Sequence, residues 1–172
     1  NTHNFGWYKG DTVNMGVGQG YINATPLQLA YYSAFLATKG RLNNFSFVQD
    51  SKDHKKDTFI SENINLNDWT KIHESMVGVI ENPKGTAGRL RTLKDYVVAA
   101  KSGTVELVST ETKEDYKIIR EIEGQRDHAI IIAFGPMPNP EYAVSVVIEN
   151  GESGGSVAGP VAIAVLNSLI KE

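Results

Sequence analysis

The stretch "VVAAKSGTVELV", residues 97–108, places four polar or flexible residues inside an apolar run that is typical of a buried strand. Because side chains alternate across a strand, Lys101 and Gly103 share one face, while Ser102 and Thr104 share the other. The lysine offers a positive charge, the hydroxyls can donate hydrogen bonds to an anion, and the glycine admits another backbone. This set suits an extended, carboxylate-bearing ligand that adds to an edge strand. A backbone N–H at the same edge can stabilise an oxyanion.

Residues 101–104 also have a purely structural interpretation. In it, Lys101 extends from the strand end into water, while the hydroxyls of Ser102 and Thr104 fill a turn. A Lys-Ser/Thr-Gly tripeptide is common by composition alone, so these four residues leave both interpretations open.

Composition narrows the class of protein. The chain has 172 residues, 41% of them apolar and 22% charged, which suits one domain with a substantial core. The net charge of −3 gives no basic surface, so we expect no nucleic-acid partner. No apolar run is long enough to span a membrane. Without cysteine there is no disulfide or thiol chemistry, and the histidines lack metal-ligand spacing, so we expect neither a metal site nor a cofactor.

A capping box marks the first clear helix. Thr25 and Gln28 flank Pro26, an arrangement that favours a helix start, and Gly40 offers a left-handed stop. We therefore predict a helix over roughly residues 26–39. The segment before it is rich in glycine, which argues against regular structure and favours positive φ angles or a backbone held close to something; the glycines are Gly10, Gly16, Gly18 and Gly20.

Two further helices are predicted. One starts after Asn67, which suits an N-cap, and ends at Asn82-Pro83. His73 lies on its apolar stripe and is more typical of a packed helix residue than of a ligand. The other helix lies within residues 159–172, opens at Pro160 and is expected to lie on a sheet. The apolar stripe of the helix that ends at Asn82-Pro83 consists of Trp69, Ile72, Met76 and Ile80.

Three apolar runs predict strands, at residues 96–108, 128–136 and 141–151. The second and third are joined by "GPMPNPE", which is typical of a hairpin turn. A charged excursion, residues 109–127, separates the first two, and its length favours either a function or mobility. This order predicts an α+β fold, an antiparallel sheet covered by helices on both faces. Because three strands are few for so many helices, we expect further strands from sequence outside this chain.

Two more motifs accompany the tripeptide. They are "NMGVGQGYINATPLQLA", residues 14–30, and "QRDHAIIIAFGPMPNPEYAVSVVIENGESGGSVAGPVA", residues 125–162. Together the three resemble the transpeptidase domain of class B penicillin-binding proteins, in which Lys-Thr-Gly is a signature and serine replaces threonine here. The segments "GWYKGDTVNMGVGQGY", "AAKSGT" and "RDHA" are most similar to the elongation-type branch of that family. The resemblance covers nearly the whole chain and is weakest over residues 43–65 and 109–125.

The resemblance implies a fold, an activity and a role for each residue. The fold is that of penicillin-binding proteins and serine β-lactamases, with a five-stranded antiparallel sheet between helices. The activity is that of a serine-type D-Ala-D-Ala transpeptidase, which cross-links peptidoglycan stem peptides in cell-wall elongation and is the target of β-lactams. Lys101 is implied to be catalytic, by positioning a hydroxyl of another motif. Ser102 and Thr104 bind the substrate carboxylate, Gly103 keeps the strand open for substrate, and the N–H of Thr104 is a catalytic half of the oxyanion hole.

The nucleophile of such an enzyme is expected elsewhere. In the family's order, the serine with its lysine base and the Ser-x-Asn motif precede Gly10. Ser168-Leu-Ile-Lys171 and Ser61-Glu62-Asn63 match those patterns by spacing, but both come in the wrong order and we reject them. We therefore expect residues 1–172 to be the carboxy-terminal portion of a single transpeptidase domain, incomplete in this chain, with the upstream half as a partner.

Three classes of function are compatible with these motifs. The first is a D,D-transpeptidase, the second a serine β-lactamase or penicillin sensor, and the third a non-catalytic binding or scaffold domain of the same fold. The segment of residues 14–30 favours the first. The resemblance also implies a periplasmic location, with an anchor to the inner membrane upstream, and partners that include an elongation-complex scaffold and a glycan polymerase.

Overall fold

In the computed structural model, which describes residues 6–42, 59–60, 64–108 and 112–170, helices pack around an antiparallel sheet. The helices are α1 (Lys9–Gly16), α2 (Pro26–Ala37), α3 (Leu66–Glu81), α4 (Lys113–Glu121) and α5 (Gly159–Ile170). The strands are β1 (Arg41–Leu42), β2 (Phe59–Ile60), β3 (Ala99–Val105), β4 (His128–Gly135) and β5 (Tyr142–Ile148). Short 3₁₀ turns lie at Gly88–Leu93 and Glu123–Gln125, and a π-helical turn at Gly154–Ala158 leads into α5.

The strands β3, β4 and β5 form the central sheet in that order, and both pairs are antiparallel. Ala99 pairs with Phe134 at one end of β3, and Val105 pairs with His128 at the other. Within the described residues, β3 therefore lies at an edge of the sheet and β4 at its centre. The short strands β1 and β2 pair separately from this sheet.

Alternating side chains of the sheet contribute to two cores, one on each face. Ala99 and Ala100 belong to different cores, as neighbours on a strand should. Helices therefore cover both faces, which confirms the predicted α+β class. The core under α2 and α3 contains Leu36, Ala37, Trp69, Met76, Ala99, Ile132 and Phe134. The core under α5 includes Ile80, Leu90, Val98, Ala100, Ile131, Ile163 and Leu166.

The capping box that predicts α2 is present. The Thr25 hydroxyl accepts the N–H of Gln28 at 3.2 Å, and the Gln28 side chain accepts the N–H of Thr25 at 2.8 Å. For α3 the predicted cap is wrong: the cap is Asn65, whose side chain accepts the N–H of Asp68 at 2.9 Å, whereas Asn67 lies inside the helix. Both asparagines suit a cap chemically, so the path of the backbone decides between them.

The glycine-rich segment contains a helix where irregular structure was predicted. Gly10 lies in the first turn of α1 and Gly16 at its last position, where the cost of glycine in a helix matters least. The carboxylate of Asp11 accepts the N–H of Tyr8, the N-cap residue of α1, at 2.8 Å and stabilises the first turn. Gly18 and Gly20 then take φ angles of +81° and +72°, so the predicted positive φ is confirmed at these two positions.

The charged excursion between β3 and β4 also contains a helix. α4 begins after a capping box in which Thr112 and Asp115 accept each other's backbone N–H, at 3.1 and 3.2 Å. The sequence held this signal in its Thr-x-x-Asp pattern, which the surrounding run of charges obscured. The described part of the excursion is therefore largely regular.

Other features follow the sequence more closely. Pairing of β3 with β4 ends at Val105, so β3 is shorter than the apolar run that predicts it. The β4–β5 hairpin is confirmed, and the terminal helix begins at Gly159. His73 of α3 is buried as expected, with its Nε2 2.7 Å from the carbonyl oxygen of Leu36 and its ring against Phe134. Among the described residues, no helix has the length and apolarity that crossing a membrane requires.

Candidate functional site

Residues 101–104 lie on β3, at the edge of the central sheet. In an antiparallel pair, successive residues turn their backbone groups alternately toward the partner strand and away from it. The carbonyl oxygen of Ser102 accepts a hydrogen bond from Lys101 Nζ. The carbonyl oxygen of Thr104, two positions on, accepts one from Gln19 Nε2 at 3.0 Å. Both carbonyls therefore face the open edge, and by the same alternation so does the N–H of Thr104.

A groove of about 650 Å³ runs along this edge. The four predicted site residues all line it, so the structure brings them to one cavity. Lys101 is exposed there and forms no ion pair among the described residues, which leaves its charge available to an anion in the groove. The other walls are Val17, Gly18, Leu29, Tyr32, Thr86, Val105, Ile130, Ile132, Ser153, Gly154 and Gly155.

Thr86 is a residue of this groove that sequence reasoning missed. Its hydroxyl lies 2.8 Å from that of Ser102. Close packing fixes its loop, because a Cβ on Gly85 would lie 2.3 Å from the carbonyl oxygen of Val79, and one on Gly155 would lie 2.4 Å from that of Thr86. Two hydroxyls that share one hydrogen bond retain one O–H that can donate to an anion. The glycines around Thr86 in "KGTAG" were the available signal.

The loop after β5 packs against the other half of the motif. The Thr104 hydroxyl donates to the carbonyl oxygen of Glu152 at 3.3 Å. A Cβ on Gly154 would lie 2.1 Å from the carbonyl oxygen of Ile130 and 2.6 Å from that of Gly103, so position 154 requires glycine. A Cβ on Gly103 would meet one described atom within 4 Å, the Ile130 Cβ at 3.7 Å. Packing among the described residues therefore does not require glycine at 103.

A charged cluster lies behind Thr104. Arg120 on α4 donates from Nε and Nη2 to the two carboxylate oxygens of Glu152, at 2.7 and 2.8 Å. These hydrogen bonds hold the pKa of Glu152 below its usual range, although desolvation opposes them, and the same pairing raises the pKa of Arg120. The Tyr116 hydroxyl donates to the Asp127 carboxylate at 2.7 Å, which raises the pKa of Tyr116 because the bond favours the neutral phenol.

The two rejected serine patterns contribute nothing to this groove in the described residues. Ser168 lies in α5, and its hydroxyl donates to the carbonyl oxygen of Val165 at 2.7 Å. Lys171 and residues 61–63 lie outside the described residues.

Sequence comparison relates this chain to a known family. The penicillin binding protein transpeptidase domain matches residues 1–167. The chain is 33% identical over 158 residues to the peptidoglycan D,D-transpeptidase MrdA of Escherichia coli (strain K12), a match that covers 88% of this chain and 25% of that protein. The chain thus spans about a quarter of the length of this relative.

Solved structures agree with the sequence comparison. Pseudomonas aeruginosa PBP2, in complex with WCK 5153, superposes with a TM-score of 0.73 at 31% identity, over 96% of this chain and 34% of that one. Helicobacter pylori PBP2, in complex with MreC, superposes with a TM-score of 0.73 at 28% identity, over 98% of this chain and 29% of that one. These matches confirm the predicted fold of penicillin-binding proteins. With the motifs on one groove and the domain match over residues 1–167, the chain belongs to the penicillin binding protein transpeptidase domain family.

Proposed function

We propose that this chain supplies part of the active site of a peptidoglycan D,D-transpeptidase, a serine acyl-transfer enzyme that cross-links stem peptides during cell-wall elongation and is a target of β-lactams. The open edge of β3 supports this most directly, because Lys101, Ser102 and Thr104 line one groove beside outward-facing backbone groups. A peptide that ends in D-Ala-D-Ala is extended and carries a carboxylate, which is the kind of ligand that this edge suits.

Each residue of β3 has a role in this proposal. The Ser102 hydroxyl, paired with that of Thr86, donates to the terminal carboxylate, and Lys101 adds positive potential there. The N–H of Thr104 stabilises the oxyanion that forms when the scissile carbonyl is attacked. For the Thr104 hydroxyl to bind the carboxylate as well, it has to leave the carbonyl oxygen of Glu152. That hydrogen bond is 3.3 Å long and therefore weak, so little free energy is lost when it breaks.

Acyl transfer also needs an activated serine. We propose that this serine, its lysine base and a Ser-x-Asn motif come from the upstream half of the domain, and that residues 1–172 are the carboxy-terminal portion of a single transpeptidase domain. In that arrangement, Lys101 positions the hydroxyl of the Ser-x-Asn motif. The chain's span of 25% of the Escherichia coli relative supports a longer protein.

Location and partners are proposed on family membership. We expect a periplasmic domain that an upstream segment anchors to the inner membrane. A scaffold of the elongation complex is a proposed partner, because Helicobacter pylori PBP2 forms a complex with MreC. A glycan polymerase is proposed on the resemblance alone.

Labelling with a fluorescent penicillin tests the proposal. The full-length protein is expected to form a covalent adduct that survives denaturing electrophoresis, with the label on the upstream serine. Residues 1–172 alone are expected to stay unlabelled, and a covalent label on this chain would contradict the proposed division of the site. A long-lived adduct supports a transpeptidase, rapid release supports a β-lactamase, and no adduct supports a non-catalytic domain.

A Lys101→Ala variant of the full-length protein tests the role of β3. Loss of a charge that faces the ligand is expected to slow acylation about a hundredfold. Lys71→Ala is the matched control, because Lys71 is an exposed lysine of α3 that pairs with Asp68 at 3.5 Å, outside the groove. Equal acylation rates for the two variants would mean that residues 101–104 are merely structural.

A further inference from the structure

The ion pair of Arg120 with Glu152 connects α4 to the loop that follows β5. Arg120 binds both carboxylate oxygens of Glu152 in a bidentate fashion, at 2.7 and 2.8 Å. Bidentate contact fixes direction as well as distance, which the point charge of a lysine does not. Because exposed ion pairs add little stability, the geometry that this pair imposes is the more important consequence.

The backbone of Glu152 is held in an uncommon conformation. Its φ is +61°, its N–H donates to the carbonyl oxygen of Asp127 at 2.8 Å, and its carbonyl oxygen accepts the Thr104 hydroxyl at 3.3 Å. A residue with a side chain is rare in this left-handed region and persists where its surroundings hold it. Arg120 holds the side chain of Glu152 through two hydrogen bonds and thereby helps to fix its left-handed backbone.

Neighbouring contacts hold the same loop. The N–H of Asn150, whose φ is +56°, donates to Nδ1 of His128 at 3.0 Å. Tyr116, one turn before Arg120 on α4, donates to the Asp127 carboxylate at 2.7 Å. The helix of the excursion is thus joined both to the start of β4 and to the loop after β5.

The anchored loop forms a wall of the groove. Ser153, Gly154 and Gly155 line it directly. Gly154 lies so close to β3 that a Cβ would be 2.6 Å from the carbonyl oxygen of Gly103. A displacement of Glu152 by about 1 Å would therefore move the partner of the Thr104 hydroxyl and the backbone packed on Gly103 together, a scale of error that catalytic sites do not tolerate.

We propose that Arg120 and Glu152 are a positioning pair, through which the excursion helix α4 sets the geometry of Thr104 and Gly103. The inference rests on the proposed function, in which Thr104 takes part in acyl transfer. Both residues act through the backbone of residues 152–155. The low pKa of Glu152 and the raised pKa of Arg120 keep both groups charged through the neutral range, as the pair requires.

Acylation of the full-length protein by a fluorescent penicillin tests the pair. Arg120→Ala and Glu152→Gln are each expected to lower the second-order rate about tenfold. The acylation rate of Arg120→Lys is expected to lie between the rates of these variants and that of the unmodified protein, since lysine keeps the charge without the bidentate geometry. Lys117→Ala, the matched control, removes another cation of α4 that has no ion pair among the described residues, and is expected to leave the rate unchanged. An Arg120→Glu/Glu152→Arg exchange is expected to recover most of the lost rate.

Two further measurements separate positioning from a loss of fold. The thermal midpoint of each variant is expected to stay within about 2 °C, as for most surface substitutions. Amide hydrogen exchange at residues 152–155 is expected to accelerate in Arg120→Ala. A variant with unchanged acylation and unchanged exchange would overturn the inference. If the unmodified protein takes no label, the proposed function fails, and the exchange measurement then decides the positioning role: faster exchange supports it and unchanged exchange overturns it.

Discussion

The side-chain amide of Gln19 donates to the carbonyl oxygen of Thr104 at 3.0 Å, although 85 positions separate the two residues. The bond unites the glycine-rich motif with the Lys-Ser-Gly-Thr motif at the open edge of β3. Gln19 thereby occupies the backbone acceptor that an added substrate strand would use. It satisfies, from outside the sheet, a carbonyl on the edge of β3 that has no partner strand among the described residues.

Removal of the Gln19 amide is expected to strengthen binding of an extended peptide. We expect a peptide N–H to displace Gln19 from the Thr104 carbonyl, and a hydrogen bond of this kind contributes about 1 kcal/mol, which is about fivefold in affinity. Gln19→Ala is therefore expected to lower the Kd of a peptide ending in D-Ala-D-Ala about fivefold, measured by fluorescence anisotropy. Gln125→Ala, an exposed glutamine outside the groove, is the control. Weaker binding by Gln19→Ala would show that the amide supports the ligand instead of competing with it.

Removal of the Thr86 hydroxyl is expected to weaken recognition of a carboxylate. Thr86→Val keeps the shape of the side chain but leaves Ser102 without the partner at 2.8 Å, at an expected cost of about 1 kcal/mol in binding. Thr86→Ser retains the hydroxyl and is expected to bind nearly as the unmodified protein does. A double-mutant cycle with Ser102→Ala measures the coupling, which is expected to reach about 1 kcal/mol. Additive effects would mean that the two hydroxyls act independently.

Introduction of a side chain at Gly154 is expected to destabilise the fold. An added Cβ would lie 2.1 Å from the carbonyl oxygen of Ile130, a rigid backbone atom at the centre of the sheet. Gly154→Ala is therefore expected to lower the free energy of unfolding by about 3 kcal/mol, measured by urea denaturation. Gly124→Ala is the matched control, because nothing described lies within 4 Å of its added Cβ, and its effect is expected to stay within about 0.5 kcal/mol. A Gly154→Ala variant as stable as the control would refute the close packing of this loop on β3.

The contact of Glu152 with Arg120 is expected to persist to acid pH. Because the folded pKa of Glu152 lies below its usual range, the stabilisation is fully present above the unfolded pKa of about 4.3 and is lost as the pH falls through the folded value. The titration of Glu152, followed by its carboxyl ¹³C chemical shift, is expected to have its midpoint below about pH 4.3. Arg120→Ala is expected to raise that midpoint, although the charge of Arg126 still favours the carboxylate. A midpoint at or above the usual value in the unmodified protein would count against the ion pair.

Local patterns predicted most of the regular structure. The capping box of Thr25 and Gln28 located α2, and apolar runs located the three strands of the central sheet, because both signals depend on near neighbours. The unpredicted helices α1 and α4 lie where glycines or charges dominate, and there the capping carboxylates of Asp11 and Asp115 outweigh composition. Thr112 is a suitable N-cap residue for α4, but a single capping residue is a weak signal of a helix within a polar run.

The candidate site divides in the same way. By itself the sequence determined that the chain is α+β and that Lys101, Ser102, Gly103 and Thr104 share one strand with alternating faces, since periodicity is a property of neighbouring residues. Only the tertiary structure decided that Gln19, Thr86 and Glu152 meet that strand, across 85, 16 and 48 positions. Contacts over such distances depend on how a sheet edge, a glycine-fixed loop and a strained turn pack together, and no local pattern of side chains encodes that packing.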